Sequence, residues 1–321
     1  TSLYYHILCE GQARVTTSGG TVTVADGKIT VSGADGAVLY FTCGTNYRME
    51  SRVFLEPEPK KKLAPYSAPH DRVTRILDAA VSKGYEKIRA DHAADYRSLF
   101  DRVKLTFGYD AADLAVTTDA LVARYRDGGR SAYLEMLYYQ YGRYLLIASS
   151  RPGGYPANLQ GTWTAYDSSP WGCDYHHNIN VQMNYWPSGI ANLAECFRPY
   201  IDYARAYMPS AEEIADTYIK ENYPENASET SGGNGWTIGT GAFLYYITTV
   251  GGHSGPGTGG FTSLLFWDYY EFTGDKAYLR EIGYPFLRGM SLFLSKVVVP
   301  VGDKLLVRLS ASPEQQGPDG S

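Results

Sequence analysis

No stretch of about 18 uninterrupted apolar residues occurs in this chain, so no membrane-spanning helix is expected. Long basic runs are missing too. Lys60, Lys61 and Lys62 form the only lysine cluster, beside Glu56 and Glu58, and the net charge is -5. A nucleic-acid partner is therefore not expected. Cysteine is scarce: Cys9, Cys43, Cys173 and Cys196 include no Cys-x-x-Cys pair, which argues against structural zinc and thioredoxin-type chemistry. Cys173 and Cys196 are left either as a bridge or as two free buried thiols. No His, Glu or Asp spacing resembles a zinc site, and no Gly-x-Gly-x-x-Gly follows a strand, so neither a metal nor another cofactor is expected.

Aromatic and amide side chains are abundant instead. Tyrosine numbers 29, against 11 Phe and 5 Trp. The densest stretch runs from Trp171 to Pro187. Asn178, Asn180, Gln182 and Asn184 supply paired donors and acceptors without net charge. Trp171, Tyr175, Tyr185 and Trp186 supply flat apolar faces with polar edges. His176 and His177 can donate, accept or titrate. This mixture suits a neutral ligand covered in hydroxyls, above all a sugar, although buried amides are also ordinary structural devices. Asn180 and Asn184, four apart, share one face of a predicted helix. Asn178, near that helix's start, either caps it or binds a polar ligand there.

The 321 residues, 44% apolar and 20% charged, are enough for one large domain or two ordinary ones. Residues 1 to about 55 read as antiparallel β structure: Leu3–Leu8, Val22–Val24, Lys28–Val31 and Val38–Thr42. Gly19-Gly20, Asp26-Gly27 and Asp35-Gly36 punctuate them. Pro57, Pro59, Pro65 and Pro69 mark an irregular connector over 56–70. The period then becomes helical, with a pair of linker helices between Ile76 and Val103. Further helices are predicted from Thr118, over Ala132–Ser149, Val181–Glu195, Tyr200–Tyr218, Phe261–Thr273 and Lys276–Val298. Between them, 229–240 and 251–260 are nearly all Gly, Ser, Thr and Pro, and read as rims of a cleft.

Four blocks in order carry a resemblance. They are Gly142-Arg143-Tyr144-Leu145-Leu146, with Ser149-Ser150-Arg151-Pro152-Gly153; Pro156-Ala157-Asn158-Leu159-Gln160-Gly161-Thr162-Trp163; Trp171-Gly172; and Asp174-Tyr175-His176-His177-Asn178-Ile179-Asn180 through Pro187. Together they resemble glycoside hydrolase family 95, which contains inverting α-L-fucosidases and some α-L-galactosidases. Weaker matches at His92–Val103, Tyr270–Asp275 and Leu309–Glu314 extend it over most of the chain. The resemblance implies the C-terminal part of a β-sandwich over 1–70, a helical linker over 71–115 and an incomplete (α/α)6 barrel over 116–321. A toroid lacking helices exposes apolar helix faces, and self-association is expected of it.

The resemblance also implies roles. Glu314 matches the general acid, Asn178 and Asn180 the amides that hold the attacking water, and His176 a residue touching the sugar. Trp171, Trp186 and Asn184 are further candidates for substrate binding. The implied substrate is an oligosaccharide or glycan ending in an α-L-fucosyl or α-L-galactosyl residue, and a secreted or periplasmic setting follows from the same source. The family's general base is an aspartate beyond Glu314, with no counterpart before Ser321. Thr237-Ile238-Gly239-Thr240 and Leu265–Tyr269 stand where the family usually carries histidines. These departures leave two alternatives: a glycosidase for another sugar, or a non-catalytic carbohydrate-binding protein.

Overall fold

A computed structural model describes residues 5–251 and 255–310. The chain is mostly helical with small antiparallel sheets, and it divides into two compact units, Thr1–Arg97 and Ser98–Ser321.

In the first unit, β1 (Cys9–Ser18) pairs antiparallel with β4 (Gly36–Thr45), from Cys9 opposite Thr45 to Ser18 opposite Gly36. Between them β2 (Thr21–Ala25) and β3 (Lys28–Ser32) form a hairpin. Its turn is Asp26-Gly27, with φ of 50° and 71°. Both residues adopt the left-handed region that a two-residue hairpin turn requires, and Asp-Gly accepts it readily. Among the described residues the first strand is Cys9–Ser18; of the strand expected over Leu3–Leu8, Tyr5–Leu8 are not extended in a sheet, and Leu3 and Tyr4 lie outside the described residues. Asn46 ties down the segment before it: its Oδ1 accepts from Leu8 N at 2.9 Å and its Nδ2 donates to His6 O at 3.0 Å.

Two short helices follow: α1 (Ser51–Leu55), at the end of the stretch read as β structure, and α2 (Pro59–Lys62), inside the stretch read as an irregular connector. The lysine cluster explains them, because Lys62 is buried and donates through Nζ to Val53 O at 2.7 Å. One ammonium thus joins the end of α1 to α2, satisfying carbonyls that have no partner within so short a helix. Helix α3 (His70–Lys83) lays Val73 and Leu77 against β1 and β4. Helix α4 (Tyr85–Phe100) comes next.

The second unit continues with α5 (Thr118–Arg126) and α6 (Ala132–Ser149). Ser131 caps α6: its Oγ accepts from Leu134 N at 3.1 Å and donates to Asp113 Oδ2 at 2.6 Å. Arg143, buried within α6, donates to the Leu99 and Phe100 carbonyls at 3.1 and 2.8 Å. A guanidinium thus satisfies the last carbonyls of α4.

Next come α7 (Asn180–Ile190), α8 (Arg198–Asn222), α9 (Gly257–Thr273), α10 (Lys276–Tyr278) and α11 (Tyr284–Val297). Part of the tyrosine excess packs here. Tyr200, Tyr203 and Tyr207 lie along one face of α8 without exposure, packed against Tyr185, Phe197 and Phe266. Phe266 of α9 stacks on Phe286 of α11 with centroids 4.3 Å apart.

The helix expected over Lys276–Val298 is present and runs without a gap from Lys276 to Val297, with a π-helical turn inserted over Leu279–Gly283 just before Pro285, which has no N–H to give to the ladder. The β-branched run at its end leaves the helix as β5 (Val298–Val301), paired with β6 (Lys304–Val307). All four cysteines are free thiols, Cys196 buried and Cys173 partly so, which closes the alternative of a bridge between them. No described helix is long and apolar enough to cross a membrane. Tyr138 on α6 and Ile190 on α7 are 80% and 74% exposed, so both helices carry an uncovered apolar face.

Candidate functional site

The amide- and aromatic-rich stretch is held by main-chain pairing before it becomes helical. Tyr175 N donates to Ala242 O and His177 N to Thr240 O, each at 2.7 Å, and Leu159 N donates to Asp174 O at 3.2 Å. Three segments distant in sequence are thereby laid side by side. Residues 229–240, expected at a cleft rim, instead run largely through the interior: Asn234, Trp236, Thr237 and Ile238 are all buried. Trp236 explains this, because its indole Nε1 donates to Phe286 O at 2.8 Å and anchors the loop to α11. Gly255 and Thr258, from the other expected rim, do line a cleft.

That cleft has a volume of about 210 Å³ and is bordered by His177, Asn178, Gly255, Thr258, Phe261 and Ser310. Asn178 thus faces an open space instead of capping α7, whose first turn is preceded by Ile179 without a side-chain cap. Trp186 lies edge-on to Phe261, with centroids 6.3 Å apart. Ser310 is the last described residue before the segment that carries Glu314, and Glu314 itself lies outside the described residues.

Asn184 sits in a second, larger cleft of about 600 Å³ beside Asn158, Gln160, Trp163 and Met183. Its Nδ2 donates to the Ala157 and Asn158 carbonyls at 3.4 and 3.3 Å. Asn180 opens α7, half-buried, so the two amides do share a helix face as their spacing implies. Trp171 is 71% exposed on a turn where Trp171, Gly172 and Cys173 all have positive φ.

The two histidines divide. His177 is fully buried, with Nε2 2.8 Å from the Tyr200 hydroxyl. Burial drives its pKa down to about 3, against the raising effect of backbone hydrogen bonds at Thr240 and Tyr175. His176 retains 18% side-chain exposure, and its Nδ1 lies 2.8 Å from Asp174 Oδ2. Asp174 is buried, and this raises its carboxyl pKa although His176 pulls it down. An aspartate two residues before a histidine in extended chain shares its face, a signal present in the sequence.

His177 makes stability depend on pH. The unfolded chain protonates this ring near pH 6.5, the folded one near pH 3. Between those values the unfolded state binds more protons, so stability is lost as pH falls, by up to about 1.4 kcal/mol per pH unit. His177→Gln is expected to flatten that slope by about one proton between pH 6 and pH 4, read from urea midpoints. An unchanged slope would show that another group carries it.

Comparison with known proteins identifies the family. The profile of the glycosyl hydrolase family 95 catalytic domain matches residues 84–320. The chain is 32% identical over 285 residues to "Probable alpha-fucosidase A" of Aspergillus niger, covering 88% of this chain and 33% of that protein. It is 31% identical over 319 residues to "Alpha-L-fucosidase 2" of Arabidopsis thaliana, covering 94% of this chain and 35% of that protein. The chain thus spans about a third of the length of these curated relatives.

Proposed function

The chain belongs to glycoside hydrolase family 95, and from that premise we propose that it serves the hydrolysis of terminal α-L-fucosyl, or related α-L-galactosyl, residues with inversion at the anomeric carbon. The observation that carries this reading is the position of Asn178. It borders a cleft that Ser310 also lines, four residues before Glu314 in the sequence.

In this reading Glu314 gives its proton to the glycosidic oxygen as the bond to the anomeric carbon breaks. A water attacks from the opposite face and passes a proton to a carboxylate base supplied from outside these residues. The two carboxyl groups of such a pair stand roughly 6.5–9.5 Å apart, leaving room for the water. Asn178 and Asn180 orient that water. Amides suit the task because they donate and accept without adding charge that would compete with the base. Phe261, with Trp186 packed edge-on against it, offers an apolar wall on which a sugar ring can rest.

The test uses the full natural chain and a panel of aryl α-L-fucosides, α-L-galactosides and L-arabinosides, with the first-formed sugar followed by proton NMR. Release of the β-anomer of L-fucose or L-galactose is the expected result. The α-anomer as first product would overturn inversion, and turnover confined to arabinosides would overturn the assigned substrate class.

A further inference from the structure

Asp174 and His176 form a carboxylate–imidazole pair in the segment that leads into Asn178 and Asn180. The segment that carries them is pinned at Tyr175 and His177 by main-chain bonds to Ala242 and Thr240. Asp174 is only 4% exposed, and its Oδ1 is buried without a hydrogen-bond partner among the described residues. The 2.8 Å contact of Oδ2 with His176 Nδ1 is therefore the principal compensation for burying this carboxylate. His176 Nε2, by contrast, makes no hydrogen bond with any described residue, and the ring keeps part of its surface open.

We propose that Asp174 is a positioning residue for the site: its carboxylate holds the hydrogen of the His176 ring on Nδ1, so that Nε2 is presented as an acceptor to a hydroxyl of the bound sugar. An ionised carboxylate only accepts, so the nitrogen facing it must carry the hydrogen. The hydrogen bond made by one ring nitrogen sets what the other can do. A bare Nε2 favours a ligand that donates at that point, which a sugar hydroxyl does and an ether or a methylated hydroxyl does not. The sugar half of the proposal rests on the glycosidase reading above; the pairing of Asp174 with His176 does not.

The experiment is nitrogen-15 NMR of the full natural chain labelled at histidine, with the His176 signals identified by their loss in His176→Asn. The wild-type ring is expected to show its hydrogen on Nδ1 and a bare Nε2. Asp174→Asn is expected to shift the ring toward the form with its hydrogen on Nε2, and Asp174→Glu to restore the original pattern. On the aryl α-L-fucoside, Asp174→Asn is expected to raise KM roughly tenfold with little change in kcat, the signature of a lost binding hydrogen bond.

A wild-type ring carrying its hydrogen on Nε2, or on both nitrogens, would overturn the proposal, and that measurement needs no variant to fold. An Asp174→Asn protein with a shifted tautomer but unchanged KM would overturn the role of Nε2 in holding substrate. If no glycoside on the panel is turned over, the glycosidase reading fails, and binding of free L-fucose to wild type and Asp174→Asn replaces KM as the readout. Equal affinities would then overturn the proposal, and weaker binding by the variant would uphold it.

Discussion

Replacing Glu314 with Gln is expected to lower kcat/KM on natural fucosyl linkages by roughly 10²–10⁴, the contribution of one positioned general acid. Glutamine matches glutamate in size and keeps its polarity, but has no proton to give. The size of the loss should depend on the leaving group. A sugar alkoxide leaves poorly without protonation, whereas the phenolate of an acidic phenol leaves without help. Aryl fucosides with such phenols should therefore lose far less than oligosaccharides. The alkaline limb of the pH–rate profile, which reports the acid in its protonated form, should flatten in the variant. An equal loss on both substrate types would mean that Glu314 supports the fold or binds sugar without delivering a proton. No loss on either would remove it from the mechanism.

The largest effect on stability is expected from Gly235→Ala. Gly235 has φ of 71°, a conformation that costs a residue with a Cβ roughly 1–2 kcal/mol. Space adds to this. A Cβ at that position would overlap the Gly289 carbonyl oxygen and stand 2.7 Å from Phe293 N, both on the backbone of α11, which cannot swing aside as a side chain can. The neighbouring Trp236 is anchored to the same helix through Phe286 O, so a shift at residue 235 also disturbs a buried indole. A loss of about 4 kcal/mol or more is expected, lowering the melting temperature by roughly 10 °C. Gly232 is the internal control: its φ is 69°, but a Cβ there meets nothing within 4 Å. Gly232→Ala should cost only the conformational part, about 1–2 kcal/mol. Comparable losses in the two variants would show that the close approach to α11 does not govern stability.

Much of the fold is legible in the chain because local chemistry decides it. Asp26-Gly27 dictates the β2–β3 turn, and Ser131 followed by an apolar period dictates α6. Other elements were hidden. β1 includes Glu10, Gly11, Gln12 and Arg14, has no strong alternation, and takes its form from ten residues of register with β4. β5 is a β-branched run that follows directly on α11 and reads as more of the same helix until its pairing with β6 is seen. The family was readable from the blocks between Gly142 and Pro187, since these rely on residue type and spacing.

By itself, the sequence determined the helical class of the second unit, the hairpin chemistry of the first and the supply of neutral hydrogen-bonding groups suited to a sugar. Those follow from propensity, turn residues and composition, all local properties. Only the tertiary structure decided how two adjacent histidines diverge. His177 is buried against Tyr200, and burial penalises its charged form. His176 is turned to Asp174 with an edge left open. It also decided that Asn178 borders one cleft and Asn184 another, although they stand only six positions apart. The helix turn between them sends their side chains to different neighbours, and those neighbours arrive from loops and helices that no local pattern brings together.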